Sequence, residues 1–133
     1  MKRKTAMLIG LLVIGACAST TLILQKGPHS GTLEVHVEGL EHQDGNLRFA
    51  LFAGPEGFPS DPALAERVET LPITSSTVTW TVEEVPTGMW AVSVLHDEDG
   101  NGEMATGWMG QPSEGWGTSN DARGRFGPPS FED

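Results

Sequence analysis

Apolar and polar residues alternate along three stretches of the chain. Every second residue is apolar in residues 33–37, 47–51 and 78–82, which is the period of a β-strand with one buried face. A fourth stretch, residues 89–95, is apolar at most positions and predicts a central strand covered on both faces. Turn-forming residues at 43–46 and 85–88 separate these stretches. The pattern therefore predicts short strands joined by tight turns.

One helical segment is predicted between the second and third strands. Asp61 and Pro62 form an N-cap and first-turn pair, which predicts a helix over residues 62–68. Short strands with little helix predict an all-β fold, a small antiparallel β-sandwich of the immunoglobulin-like kind with at most one short helix. The predicted strands occupy residues 32–96.

The last 37 residues follow a different pattern. Residues 97–133 contain eight Gly and three Pro, and the alternation ends there. A segment of this length without strands is typical of a functional or ligand-ordered loop, and its aromatic residues argue against plain disorder. We therefore predict one domain, residues 27–133, whose carboxyl-terminal part is a Gly- and Trp-rich loop segment.

The amino end, residues 1–26, is predicted to be an export segment, because three basic residues precede an apolar run. Three interpretations stay open. Residues 14–17 resemble a bacterial lipoprotein box that ends at a lipidated Cys17. Residues 16–18 also satisfy the small-x-small rule for cleavage, which would release a soluble secreted form. Residues 6–24 contain no charge and are long enough to remain as a membrane anchor. We expect an exported protein tethered to a membrane of the bacterial envelope, in the periplasm or on the outer face.

The charge distribution separates the same two parts. Four of the eight Lys and Arg lie in residues 1–26, and all 18 acidic residues follow them. The remaining 107 residues thus contain four Arg and 18 acids, a net charge of −14. Such a surface argues against nucleic acid as a partner, because nucleic-acid binding needs clustered basic residues. The single cysteine excludes an internal disulfide framework and a multi-cysteine metal site.

The loop segment opens on an acidic run that is typical of the first half of a calcium loop. Side-chain oxygens recur at the first, third and fifth positions, and the seventh offers a carbonyl: Asp97, Asp99, Asn101 and Glu103. Gly102, at the sixth position, permits the sharp turn that such loops need. The cofactor prediction is therefore Ca²⁺ or none.

The rest of the ion shell is not specified by this run. The twelfth position is Trp108 instead of a bidentate Glu, so Glu114 or Asp121 would have to complete the coordination. The alternative interpretation is a solvated acidic turn in which Asp97 and Asp99 accept backbone N–H groups. Both interpretations stay open.

Further candidate ligand-binding residues surround the acidic run: His96, Trp108, Glu114, Trp116 and Asn120. The two Trp side chains could form a platform for sugar rings, but we favour the interpretation that they close the open end of the core. We expect His96 to be a hydrogen-bonded structural residue, with ion ligation or orientation of Asp97 as the alternative. Asp97, Asp99 and Glu114 could supply two carboxylates for glycoside hydrolysis, the least favoured hypothesis.

Three motifs, in order along the chain, carry a resemblance to a known family. They are Val-Leu-His-Asp-Glu-Asp-Gly-Asn-Gly at 94–102, Gly-Gln-Pro-Ser-Glu-Gly-Trp-Gly-Thr-Ser-Asn at 110–120, and Gly-Pro-Pro-Ser-Phe-Glu-Asp at 127–133. About residues 32–133 resemble the bacterial exported proteins of domain-of-unknown-function family 2141. The resemblance implies an exported, transthyretin-like β-sandwich, and it implies no established activity.

The chain departs from the family pattern at two places. Ala105 stands where members often have Asp, which weakens the ion-loop interpretation. Members also usually continue into another strand, whereas this chain stops at Asp133. We therefore expect either an exposed edge strand or an edge that a partner or a second copy covers.

The expected function is a non-enzymatic binding or structural module of the cell envelope, with its amino-terminal segment in a membrane and a glycan or envelope protein as partner. The alternatives are a carbohydrate-binding accessory protein and, least favoured, a carboxylate-dependent hydrolase.

Overall fold

Strands dominate the computed structural model, which describes residues 29–125 and 127–133. Six strands follow one another along the chain: β1 (Ser30–Val37), β2 (Asn46–Phe52), β3 (Arg67–Pro72), β4 (Val78–Pro86), β5 (Ala91–Asp97) and β6 (Trp116–Thr118). The helical content of the described residues is two 3₁₀ turns, Pro62–Leu64 and Ser119–Asp121. The all-β prediction is confirmed.

The strands form two antiparallel sheets. β1 and β4 make a two-stranded sheet, in which Ser30 lies opposite Pro86 and Val37 opposite Val78. The other four strands make a second sheet in the order β3-β2-β5-β6. β5 lies between β2 and β6, which confirms the prediction of a central strand for the fourth apolar stretch.

The hydrophobic core lies between the two sheets. The alternate positions predicted to face inward are buried on β2 and β4: Leu47, Phe49, Leu51, Val78, Trp80 and Val82. The rings of Phe49 and Trp80 meet with their centroids 5.2 Å apart. Because β2 and β4 belong to different sheets, this contact joins the two layers, and the arrangement is a sandwich.

The predicted helix over residues 62–68 is wrong beyond its first turn. Asp61 caps it as expected, since its Oδ1 accepts a hydrogen bond of 3.1 Å from the N–H of Ala63. The turn ends at Leu64, and the chain then pairs with β2 as strand β3. Residues 67–72 form backbone hydrogen bonds with β2 in place of the hydrogen bonds of a continued helix. The alternation of β3 gives little signal, because most of its residues are exposed.

The prediction that residues 97–133 contain no strand is also wrong. Residues 116–118 form β6, which pairs with residues 93–95 of β5. Its side chains lie on a sheet edge and do not alternate between buried and exposed, so the sequence shows no period of two there.

The predicted export segment, residues 1–26 with Cys17, lies outside the described residues. Among the residues that are described, no helix is long and apolar enough to span a bilayer.

Candidate metal centre

Three carboxylates converge where β5 ends. One oxygen each from Asp97, Asp99 and Glu114 lies within 4.8 Å of the other two. Asp97 is the last residue of β5, whereas Glu114 comes just before β6. Since β6 pairs beside β5, with Trp116 opposite Leu95, the sheet returns Glu114 to the end of β5. The intervening loop, residues 98–115, is called the acidic loop below.

The Asp97 carboxylate is buried and only half satisfied. Asp97 is 3% exposed. Oδ2 accepts a hydrogen bond of 2.9 Å from the N–H of Gly102. Oδ1 is shielded from solvent and finds no hydrogen-bond partner within the described part of the chain. A buried, unpartnered carboxylate oxygen is unfavourable and rare in native structures, so this atom indicates a site for a cation.

The Glu114 carboxylate forms hydrogen bonds with two points of the acidic loop. Glu114 is 8% exposed. Oε1 accepts the N–H of Glu98 at 3.0 Å, and Oε2 accepts the N–H of Ala105 at 2.9 Å. Because a carboxylate can accept about four hydrogen bonds, both oxygens keep capacity for an ion. Glu114, which the sequence offered only as one way to complete the shell, is thus central to the site.

Asp99 organises the exposed turn above the cluster. Its Oδ1 accepts the N–H of Asn101 at 3.0 Å, and its Oδ2 accepts the Asn101 side-chain amide at 2.8 Å. The Asn101 Oδ1 in turn accepts the N–H of Glu103 at 2.7 Å. These bonds match the backbone contacts that the acidic-turn interpretation predicts. That interpretation fails on one point, because the turn is not solvated at Asp97.

The Glu103 carbonyl oxygen stays a predicted ligand, whereas the Glu103 side chain is exposed and its carboxylate is not among the three that converge. Asp121 does not belong to the converging group, since it is exposed and its Oδ1 pairs with Arg123 at 2.9 Å. Its position in the 3₁₀ turn after β6 places it beyond the strand that returns Glu114.

Among the described residues, no basic side chain forms an ion pair with the cluster. The ion pairs found in residues 29–125 and 127–133 include neither Asp97, Asp99 nor Glu114. The nearby Arg48 donates instead to the carbonyl oxygen of Gly102. Two buried negative charges without a counter-charge are costly, and a bound cation would remove that cost.

His96 has a structural role, as expected. The residue is buried, and its Nε2–H donates to the carbonyl oxygen of Asp44 at 2.6 Å. The ring contacts that of His42 in a tilted arrangement, with centroids 4.9 Å apart. The His42 Nε2 lies 3.3 Å from the Glu98 carboxylate. His42 belongs to a loop with no recognisable motif, so nothing in the sequence indicates that it lies near this site.

The favoured expectation for the two Trp side chains is wrong. Trp108 is 92% exposed and Trp116 is 41% exposed, so neither closes the core. Trp108 lies on a turn closed by the N–H of Gly110, which donates to the Gly107 carbonyl oxygen at 2.8 Å. This turn holds the indole clear of the sheets, while Trp80 fills the core.

Asn120, a further candidate ligand-binding residue, is exposed and has a positive φ of 62° in the 3₁₀ turn after β6.

A hydrolase would need two carboxylates open to substrate. The burial of Asp97 and Glu114 leaves Asp99 as the accessible carboxylate of the cluster, so the geometry does not favour hydrolysis.

Comparison with known proteins gives one match. A family model described as an uncharacterized protein conserved in bacteria (DUF2141) matches residues 35–133. The chain belongs to this family. The DUF2141 region contains the whole acidic loop and the three converging carboxylates, and the match confirms the resemblance seen in the sequence. No curated protein and no solved structure matches the chain.

Proposed function

We propose that this DUF2141 protein is an exported, non-enzymatic module of the bacterial cell envelope whose acidic loop is ordered by one Ca²⁺ ion. The ion would bind Asp97, Asp99 and Glu114. The observation that carries the proposal is Asp97 Oδ1, a buried carboxylate oxygen beside two further carboxylates that has no hydrogen-bond partner among residues 29–125 and 127–133.

The donor set favours calcium over other metals. All three converging side chains offer oxygen, and neither His nor Cys belongs to the group. Oxygen ligands select hard cations, whereas zinc and copper prefer nitrogen and sulfur. Ca²⁺ accepts irregular shells of six to eight oxygens, while Mg²⁺ demands a near-ideal octahedron and keeps several waters. Water and neighbouring loop oxygens, those of Asn101 and the Glu103 carbonyl, would complete the calcium shell.

The calcium proposal is tested by isothermal titration of the chelator-treated full chain with CaCl₂, together with thermal unfolding. We expect one binding site and a rise in Tm that the variants Asp97→Asn and Glu114→Gln abolish. Glu103→Gln is the matched control, because its side chain is exposed and outside the cluster while its carbonyl is unchanged. Absence of both heat and thermal shift at millimolar Ca²⁺ would refute the proposal.

The position of the acidic loop suits display away from a tether. The His29 carbonyl oxygen accepts the N–H of Thr87 at 2.9 Å, so the chain enters the domain near the start of β5. The acidic loop leaves from the end of β5, six residues along and therefore about 20 Å away. An amino-terminal membrane tether would thus hold the acidic loop on the distal side of the domain.

The export part of the proposal has its own test. Mass spectrometry of the mature amino terminus distinguishes the three predicted forms: lipidated Cys17, a terminus created by cleavage after Ala18, or an uncleaved anchor. Sensitivity of processing to globomycin would identify the lipoprotein. A cytoplasmic protein that retains residues 1–26 would contradict export.

A second candidate function rests on Trp108. Its indole is almost fully exposed on a tight turn within the acidic loop, and an exposed indole can stack on a sugar ring. If the protein is a carbohydrate-binding accessory protein, Trp108→Ala should abolish glycan-array binding without altering Tm. Trp116→Phe, which keeps an aromatic ring, serves as the control.

A further inference from the structure

A cleft of about 980 Å³ opens between the two sheets on one side of the sandwich. Its walls include every residue of 33–41 and of 112–121. Successive residues of a strand point to opposite faces, so a gap that touches all of them runs along the strand edge. The cleft, called the edge cleft below, is therefore bounded by the edges of β1 and β6.

The apolar floor of the edge cleft is incompletely covered. Val35 on β1 is half-buried, whereas Trp80, its cross-strand partner on β4, is 6% exposed. The same contrast holds for Leu33 against Val82. Val94 and Trp90, both only partly buried, line the opposite wall. The residues that the structure describes thus leave the core of the sandwich incompletely covered on the β1 side.

Both bounding strands also have an unused backbone edge. Within the described residues β1 pairs with β4 alone, and β6 pairs with β5 alone. An end strand presents a row of N–H and C=O groups that can pair with another strand. A segment that fills the edge cleft must therefore offer backbone N–H and C=O groups to a strand edge and apolar side chains to the floor of the cleft.

The charge around the edge cleft identifies its occupant further. The acidic residues on its walls are Glu34, Glu38, Glu41, Glu98, Glu114 and Asp121. Among the described residues, Arg123 is the only Lys or Arg on the same walls, and it pairs with Asp121 at 2.9 Å. This excess of negative charge favours a basic occupant. It disfavours a second copy of β1, which would place its own Glu34 and Glu38 beside those of the first.

We propose that the edge cleft binds an extended peptide segment of a partner protein, in which apolar and basic residues alternate, as an added strand on β1. The apolar side chains would cover Leu33, Val35 and Val94, and the basic ones would face Glu34 and Glu38. Strand addition of this kind combines main-chain hydrogen bonds with alternate side-chain pockets. The edge cleft adjoins the proposed calcium site, because Glu114 lines both. The added strand would lie on β1, and its expected contacts do not require bound Ca²⁺.

The probe for this proposal is a blocked ten-residue peptide of alternating Val and Lys, titrated into the full chain by fluorescence anisotropy. One comparison peptide has the same sequence with N-methyl groups on alternate residues, which removes backbone donors but keeps charge and side chains. A second alternates Val and Glu. We expect each comparison peptide to bind at least tenfold more weakly, and hydrogen exchange at the β1 amides to slow when the Val-Lys peptide binds.

Charge-reversal variants locate the binding surface. Glu34→Lys combined with Glu38→Lys should weaken Val-Lys binding at least tenfold, whereas Glu69→Lys on the β3 edge should leave it within twofold. Equal binding of the Val-Lys and N-methylated peptides would reduce the effect to general electrostatic attraction and overturn the proposal. Protection, before peptide is added, of those β1 amides that do not bond to β4 would overturn it in favour of another occupant. Light scattering then distinguishes a second copy from the chain's own amino-terminal segment.

The peptide titration is repeated in Ca²⁺ and in chelator. Peptide binding by a protein that shows no calcium binding would refute the calcium site alone. Calcium binding without peptide binding would refute the edge-cleft proposal alone.

Discussion

The N–H of Gly102 lies 2.9 Å from Asp97 Oδ2 and donates a hydrogen bond to it, which turns the acidic loop back over the end of β5. Arg48, on the neighbouring strand β2, donates to the Gly102 carbonyl oxygen, so both backbone polar groups of Gly102 are held by side chains of the sheet. These two hydrogen bonds hold the acidic loop against the sheet. The second oxygen of Asp97, Oδ1, has no partner in the described residues.

Replacing Gly102 with Ala should destabilise the domain. Gly102 has a φ of +80°, and a Cβ at this position would overlap the Arg48 guanidinium. The strained backbone alone costs about 1 kcal/mol, and we expect a total loss of about 1–3 kcal/mol. Urea denaturation measures the loss. Gly117→Ala is the control, because a Cβ there meets no atom within 4 Å; equal loss in both variants would contradict the account.

Replacing Glu114 with Gln should destabilise the protein even without calcium. The two Glu114 oxygens accept N–H groups from Glu98 and Ala105, and an amide has only one oxygen to accept them. One buried N–H then loses its acceptor, which costs about 1–3 kcal/mol. Chemical denaturation in chelator measures this effect, with Glu132→Gln as an exposed control. An unchanged stability would mean that Glu114 does not fasten the acidic loop.

Asp99→Asn should separate ion binding from stability. Asp99 is exposed, and Asn keeps one oxygen to accept the N–H of Asn101. We expect the unfolding free energy in chelator to change by less than about 0.5 kcal/mol. Calcium affinity should fall at least tenfold, because a charged ligand is lost. Isothermal titration and denaturation of the same preparation measure both quantities, and unchanged affinity would place the ion elsewhere.

The Trp residues should differ in their contribution to stability. Trp80 packs against Phe49 in the core, so Trp80→Ala should cost about 3–5 kcal/mol. Trp108→Ala should change the unfolding free energy by less than about 0.5 kcal/mol, because the side chain is exposed. Thermal unfolding of the two variants measures the difference. Comparable destabilisation would restore the interpretation that Trp108 closes the core.

Sequence alone predicted the parts of the fold that have strong periodicity. The alternation at Leu47 and Val78 identified buried strand faces, since one face of each strand packs into the core. It missed β3 because that edge strand is held by backbone bonds to β2 and carries mostly exposed side chains. It missed β6 for a related reason, because three residues on an edge are too few to show a period.

For the candidate site, the sequence predicted Asp97 and Asp99 and left Glu114 and Asp121 as alternatives for completing the shell. Asp97 and Asp99 belong to one contiguous motif, and the structure brings them together. Glu114 joins them through the pairing of β6 with β5, a long-range contact that spacing does not encode. The burial of Asp97 and the open edge of β1 depend on how two sheets pack, so neither could be derived from residue patterns.

The most direct test of the calcium site is a crystal structure of the protein grown in CaCl₂, with anomalous scattering data to locate calcium. We predict one anomalous peak at the end of β5, within about 2.3–2.6 Å of Asp97 Oδ1 and in contact with Asp99 and Glu114. A well-ordered acidic loop with no peak at millimolar Ca²⁺, and with Asp97 Oδ1 bonded to water or to a protein donor, would contradict the account.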